Sequence, residues 1–202
     1  GLRGQVAGKT SLSTVGKAGK GLTYRGYPIE VLSEKAKFEE VAYLLMYGSL
    51  PNKDEYENYS NKLISMRSLP NPILEVLERI PASAHPMDVM RTGCSMLGNI
   101  EPEGEFSNQQ ESADRILATM ASIIVYWYKY SHEGKKVNTS SEYETIGGHF
   151  LSLLHGDEPS EDHIRCLDTS LILYAEHGFN ASTFTARTCA STLSDIHSCI
   201  TG

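Results

Sequence analysis

The stretch AEHGFNASTFTAR, Ala175 to Arg187, sets a histidine and an asparagine on either side of a Gly-Phe step. Before it, Leu167, Leu171, Tyr174 and Ala175 have the i, i+4, i+7, i+8 spacing of one helix face. Gly178 suits the left-handed residue that ends such a helix, so the spacing predicts a helix from Ser160 to His177 with the imidazole at its end. Asn180 is a good N-cap for the next helix, whose first amides, around Ala181 to Thr183, are unpaired donors at a positive dipole end. A histidine donor beside such amides can bind a small carboxylic acid and orient its carbonyl. The same spacing fits a second role, in which His177 caps its own helix C-terminus, worth about a few tenths of a kcal/mol.

Other residues of reactive type point less far. GQVAGKT, Gly4 to Thr10, has three residues between its glycines where a phosphate loop needs four. The strand-to-helix setting that aims such a loop's amides at phosphate is also absent from the pattern. His149 and His155 lie on different faces of a helix, because six residues advance about 600° at 3.6 residues per turn. They are expected to make helix-end or interhelical hydrogen bonds rather than share a metal. His85-Pro86-Met87-Asp88 reads as a helix start, with Asp88 near the positive end of the dipole. Lys62 and Arg67, with Lys53, Asp54 and Glu55 behind them, read as charges on a solvated face. No serine nucleophile elbow or Cys/His signature is present. Cys94, Cys166, Cys189 and Cys199 form no CxxC pair and read as buried thiols of a reducing compartment.

The elements that must hold these residues are helical. From Pro28 onward apolar residues recur at helical spacing, as at Phe38, Val41, Ala42, Leu44 and Leu45, until Gly48 stops the run. Further helices are expected from Asn52 to about Arg67, Asn71 to about Arg79, Pro86 to about Gly98, Ala113 to Tyr130, Tyr143 to His155, and Asn180 to Ile200. The stretches 101–112 and 135–141 read as loops. The helix over Ala113 to Tyr130 is apolar all round, so it is expected to be central. Before Pro28, extended runs around Ser11 to Val15 and Leu22 to Tyr24 flank a glycine-lysine turn and predict a hairpin. The fold class is therefore all-α with a short β appendage: an arm over 1–27 and a helical portion over 28–202.

A net charge of -7 with interspersed signs offers no basic stripe for nucleic acid. Ile116 to Trp127, interrupted by Thr119 and Ser122, falls short of the roughly 18 apolar residues of a membrane span. A soluble, cytoplasmic chain is expected. Cys189, Leu193, Ile196 and Ile200 form an apolar face near the end of the sequence, which calls for a partner and fits a piece of a longer protein.

Four segments together resemble successive signatures of the citrate synthase family: YRGYPIEVL (Tyr24 to Leu32), FEEVAYLLMYGSLPN (Phe38 to Asn52), HPMDVMRTG (His85 to Gly93) and YAEHGFNASTFTAR (Tyr174 to Arg187). IVYWYKYSHEG and IGGHFLSLLHG look like its 2-methylcitrate synthase branch. The resemblance spans essentially the whole chain. It implies part of the helical large domain of a homodimeric enzyme that condenses propionyl-CoA or acetyl-CoA with oxaloacetate and then hydrolyses the thioester. No metal or cofactor is implied. His177 matches a family contact to oxaloacetate, Asn180 belongs to the same motif, and Lys62 matches a position where the family carries a basic residue at the substrate.

The family's catalytic aspartate and its two catalytic histidines are implied to lie beyond Gly202, in and after an HGGAN-type segment, so no catalytic residue is assigned here and the chain alone is expected to be inactive. Gly178 departs from relatives that carry an acidic residue. The competing expectations are a citrate synthase proper, using acetyl-CoA, and a helical module that kept the fold for dimerisation or ligand binding without the chemistry.

Overall fold

The computed structural model describes residues 6, 8–16 and 21–202. Three two-residue strands, β1 (Ser13–Thr14), β2 (Thr23–Tyr24) and β3 (Tyr27–Pro28), form an antiparallel sheet in the order β1-β2-β3. Ser13 pairs with Tyr24, as the predicted hairpin requires, while its glycine-lysine turn lies outside the described residues. The third strand is an addition. Arg25 and Gly26 both take positive φ, 45° and 92°, the two-residue turn whose twist suits a tight hairpin. Pro28 thus ends a strand instead of opening a helix.

Ten helices follow among the described residues: α1 (Ile29–Lys35), α2 (Phe38–Tyr47), α3 (Lys53–Ser65), α4 (Asn71–Glu78), α5 (Pro86–Ile100), α6 (Gln109–Glu133), α7 (Ile146–His155), α8 (Glu161–Tyr174), α9 (Ala181–Ser191) and α10 (Ile196–Thr201). Polar side chains cap several of their starts. Asn52 and Glu55 form a reciprocal capping box at α3, with bonds of 3.0 and 2.8 Å. The His85 ring accepts from Met87 N at α5, and Thr145 accepts from Gly148 N at α7.

Three differences from the sequence reading are structural corrections. α6 begins at Gln109, inside the stretch expected to be loop, because a 3-10 turn over Phe106–Asn108 leads straight into it. α8 stops at Tyr174, three residues before His177. The reason is Tyr24, whose buried hydroxyl donates to Ile172 O (2.8 Å) and accepts from Glu176 N (3.2 Å), taking the chain out of the helix. The predicted helix over Asn180 to Ile200 is two helices. Leu193 adopts φ 64° and is 91% exposed between them, and Asp195 caps α10 by accepting from Ser198 N at 2.8 Å. Leu193 therefore shares no face with Ile196, which packs against the main core.

α6 is central, as its all-round apolar pattern predicts. Its Ile116, Ile123, Tyr126 and Trp127 pack with Ile73 and Leu77 of α4 and Val89 and Leu97 of α5. Its Ala118 and Ala121 meet Ala42, Tyr59, Leu63 and Ile146 of α2, α3 and α7. A further core joins Tyr24 of the hairpin to Leu32, Val41, Leu44 and Ile172, fastening the arm to α8. Burying a side chain such as Leu44 or Ile172 is worth about 1.5–3 kcal/mol, so these contacts fix the segment that precedes His177. No helix of the described residues is long and apolar enough to cross a membrane. Of the cysteines only Cys94 is buried; Cys166 on α8 is exposed, and Cys189 on α9 and Cys199 on α10 are half-buried.

Candidate functional site

The link between α8 and α9 is built by three local interactions. Gly178 takes φ 92°, a left-handed conformation that a side chain would strain, and turns the chain back on itself. Its N–H donates to the Glu176 carboxylate, which also accepts from the Ser13 hydroxyl at 3.1 Å and so ties the link to β1. Its carbonyl accepts from Asn180 N at 3.0 Å. Asn180 then caps α9, its Oδ1 accepting from Thr183 N at 2.7 Å, while its amide nitrogen lies 3.0 Å from His177 Nε2.

His177 is exposed, and it borders a hollow of about 610 Å³ shared with Gly178, Phe179 and the arm residues Lys9, Thr10 and Thr14. A cationic side chain, hydroxyls and an imidazole thus gather beside one concavity, and α9 begins two residues beyond Phe179 of its lining. Arg187 adds a second cation, stacked over the Phe179 ring at 5.0 Å from its centroid. Such a setting favours a small anion with several acceptor oxygens. Because α8 ends at Tyr174, His177 does not cap its own helix.

Sequence reasoning missed Lys9 and Thr10. They lie in the GQVAGKT stretch, weighed there only as a phosphate loop. Residues 8–10 form no helix, which agrees with rejecting that loop, and Gly4, Gln5 and Ala7 lie outside the described residues. The available signal was composition: the arm is rich in basic and hydroxyl residues.

Lys62 stands elsewhere. Its ammonium lies 2.7 Å from Asp114 and 2.6 Å from Glu111, on the face of α3 against α6. Burial opposes its charge, but hydrogen bonds to the two carboxylates outweigh that and hold its pKa above the ordinary lysine value. Asp114 is fully buried and also accepts from Tyr47 (2.7 Å) and Tyr59 (3.1 Å). Burial, then the hydrogen bond to Asp114, pushes the Tyr47 phenol up to about 12. His177 and Asn180 come together; Lys62 does not join them at the hollow.

A second polar group is enclosed in the core. His149 is fully buried, with Ser122 Oγ 2.9 Å from Nε2 and Ser141 Oγ 2.8 Å from Nδ1. Burial, reinforced by the Arg67 charge, lowers its pKa to about 3, so the ring is neutral. Arg67 is no solvated charge. It is fully buried and donates to the carbonyls of Ser141, Tyr143 and Glu144, closing the loop that precedes α7. Glu39, also fully buried, accepts from Ile146 N at 2.6 Å, and burial pushes its pKa up to about 7. This cluster has the interhelical character expected of His149. Among the described residues no group of three or more His, Cys, Asp or Glu side chains could hold a metal ion.

Known proteins share this fold. Residues 1–202 match the family model described as citrate synthase, C-terminal domain. The chain is 63% identical over 202 residues to the 2-methylcitrate synthase of Shewanella oneidensis, covering 100% of this chain and 54% of that protein. It superposes on the crystal structure of citrate synthase from Thermotoga maritima MSB8 with a TM-score of 0.86 at 34% identity, over 100% of this chain and 53% of that one. For citrate synthase from Pyrobaculum aerophilum the TM-score is 0.89 at 31% identity, over 99% and 52%. The chain spans about half the length of the relatives it matches. With every residue inside the family match and the helical fold reproduced, the chain belongs to the citrate synthase family.

Proposed function

We propose that this chain forms one wall of the oxaloacetate site of a condensing acyltransferase, a 2-methylcitrate synthase that joins propionyl-CoA to oxaloacetate with water and releases 2-methylcitrate and free CoA. The observation that carries this reading is the His177–Asn180 pair beside the hollow, in a chain 63% identical to a 2-methylcitrate synthase. Oxaloacetate offers two carboxylates and a carbonyl, and the imidazole, Lys9 and the start of α9 supply donors and positive potential for them.

The α carbon of a thioester is too weakly acidic to lose its proton at neutral pH without a positioned base and a donor for the enolate oxygen. In this reading both come from outside these 202 residues, and the chain orients oxaloacetate without generating the nucleophile. Lys62 is the more remote substrate contact, since reaching an acid from its present place requires exchanging Glu111 for it. The working enzyme is a cytoplasmic homodimer that uses acyl-CoA as co-substrate, with no metal or further cofactor.

The test is made on the full-length protein. Release of CoA thiol should require both oxaloacetate and an acyl-CoA, and propionyl-CoA should give the higher kcat/KM. A preference for acetyl-CoA would assign a citrate synthase instead, and no release from either would leave a non-catalytic module. His177→Ala should weaken oxaloacetate binding by about 1.5–3 kcal/mol, as for a lost hydrogen bond to a charged group, with much less change for acyl-CoA. Equal losses for both substrates would make His177 a structural residue.

A further inference from the structure

We infer that Asn180 fixes the tautomer of His177, so that the neutral ring carries its proton on Nδ1 and offers that N–H as the donor of the site. The reasoning starts at the helix cap. Asn180 Oδ1 lies 2.7 Å from the backbone nitrogen of Thr183, and a backbone N–H can only donate. The atom facing it must be the amide oxygen, which settles the amide orientation that distance to one heavy atom ordinarily leaves open.

The group 3.0 Å from His177 Nε2 is then the amide NH2. An amide nitrogen has no acceptor capacity, so Nε2 must receive the hydrogen bond through its lone pair. A neutral imidazole whose Nε2 accepts is protonated at Nδ1. Among the described residues Nδ1 makes no hydrogen bond, which leaves its N–H for a ligand oxygen at the hollow. The helix cap, the amide and the ring are thus three links of one constraint. The backbone holds that constraint in place, through the bonds of Gly178 to Glu176 and of Asn180 to Gly178.

Asn180 is therefore a positioning residue that acts through His177. The inference rests on the proposed oxaloacetate site only for what the donor is used for, since the tautomer follows from the two hydrogen bonds alone.

The experiment has a substrate-free arm and a kinetic arm, both on the full-length protein. With 15N-labelled histidine at a pH where His177 is neutral, two-bond proton-nitrogen correlations should show a pyrrole-type Nδ1 and a pyridine-type Nε2, the signals being assigned by loss in His177→Gln. A pyrrole-type Nε2 in the wild type overturns the inference. Asn180→Ser preserves a good helix cap but lacks the NH2 group, so thermal stability should stay near wild type while the Nδ1–H form loses its dominance. In kinetics the same variant should raise the KM for oxaloacetate about tenfold, the loss of roughly one hydrogen bond, and leave the KM for acyl-CoA unchanged. If Asn180 were only a cap, Asn180→Ser would match wild type in both tautomer and KM. A wild-type Nδ1–H form together with an unmoved oxaloacetate KM in Asn180→Ser would uphold the tautomer and overturn the use of the donor, separating this inference from the proposed function.

Discussion

His149 and His177 are the same residue type in opposite physical settings. His149 is sealed between α6 and α7, and both ring nitrogens are occupied by serine hydroxyls. His177 is exposed on the six-residue link 175–180 and uses one nitrogen on Asn180. The first has spent its hydrogen-bonding capacity on the fold; the second keeps a nitrogen for something else. A satisfied buried imidazole contributes to stability and resists protonation, whereas a held but open imidazole can recognise a ligand.

That contrast is broken most forcefully through Arg67, which belongs to the sealed side. Arg67→Ala should cost about 3–5 kcal/mol of stability, because it orphans three carbonyls and leaves a cavity in the core. Urea denaturation of the purified protein measures this. A loss under about 1 kcal/mol would mean that water reaches the cluster and that the two settings differ less than their geometry suggests.

His149→Ala should come next, at about 2–4 kcal/mol, combining a cavity with unpaired hydroxyls on Ser122 and Ser141. Substrate affinities measured below the unfolding transition should be unaffected. An effect on oxaloacetate binding out of proportion to folding would place His149 on the ligand side of the contrast.

The sealed cluster also carries a pH signature. Glu39 stays protonated in the fold up to about 7 but only to about 4.5 when unfolded, so its contribution to stability is fully present below 4.5 and is lost as pH rises to about 7. Asp168, raised by burial to about 6 from 3.8, acts in the same direction over a lower window. His149 has the opposite sign: its contribution is present above 6.5 and is lost as pH falls toward 3. Glu39→Gln keeps an acceptor for Ile146 N and cannot ionise. Its stability relative to wild type should therefore climb between pH 4.5 and 7 and then level off, by on the order of 1–3 kcal/mol. A difference that does not change with pH would show that Glu39 is not buried as an acid.

Much of this contrast could be read in the sequence, and the remainder could not for identifiable reasons. The Asn180 cap was legible because capping is local, set within three residues. The two roles of His177 could not be separated from spacing, because Tyr24, 150 positions away, decides where α8 ends. Arg67 looked like a surface charge because its three acceptors are carbonyls more than 70 residues later in the chain, and no periodicity records them. The central place of α6 was visible in its all-round apolar pattern, whereas the break at Leu193 was hidden by apolar residues continuing at helical spacing across it. Lys9 and Thr10 came to the hollow through strand pairing and the Ser13–Glu176 contact, again a tertiary event.

The smallest expected effect is the one that sharpens the contrast furthest. His177→Ala should change stability by about 0.5 kcal/mol or less, the range of an exposed substitution away from caps and cores. The variant loses one hydrogen bond, from the Asn180 amide, and that NH2 can turn to water. The cap itself survives, because Asn180 Oδ1 still accepts from Thr183 N, and Gly178 remains bonded to Glu176 whatever stands at position 177. Denaturation of this variant alongside His149→Ala would place the two histidines on one scale. A loss near 2 kcal/mol at position 177 would mean that the ring holds the link together and would withdraw it from the open side of the contrast. A loss within the expected range, with oxaloacetate affinity falling at least tenfold, would separate the cost to folding from the cost to binding in a single residue, since tenfold corresponds to about 1.4 kcal/mol of binding.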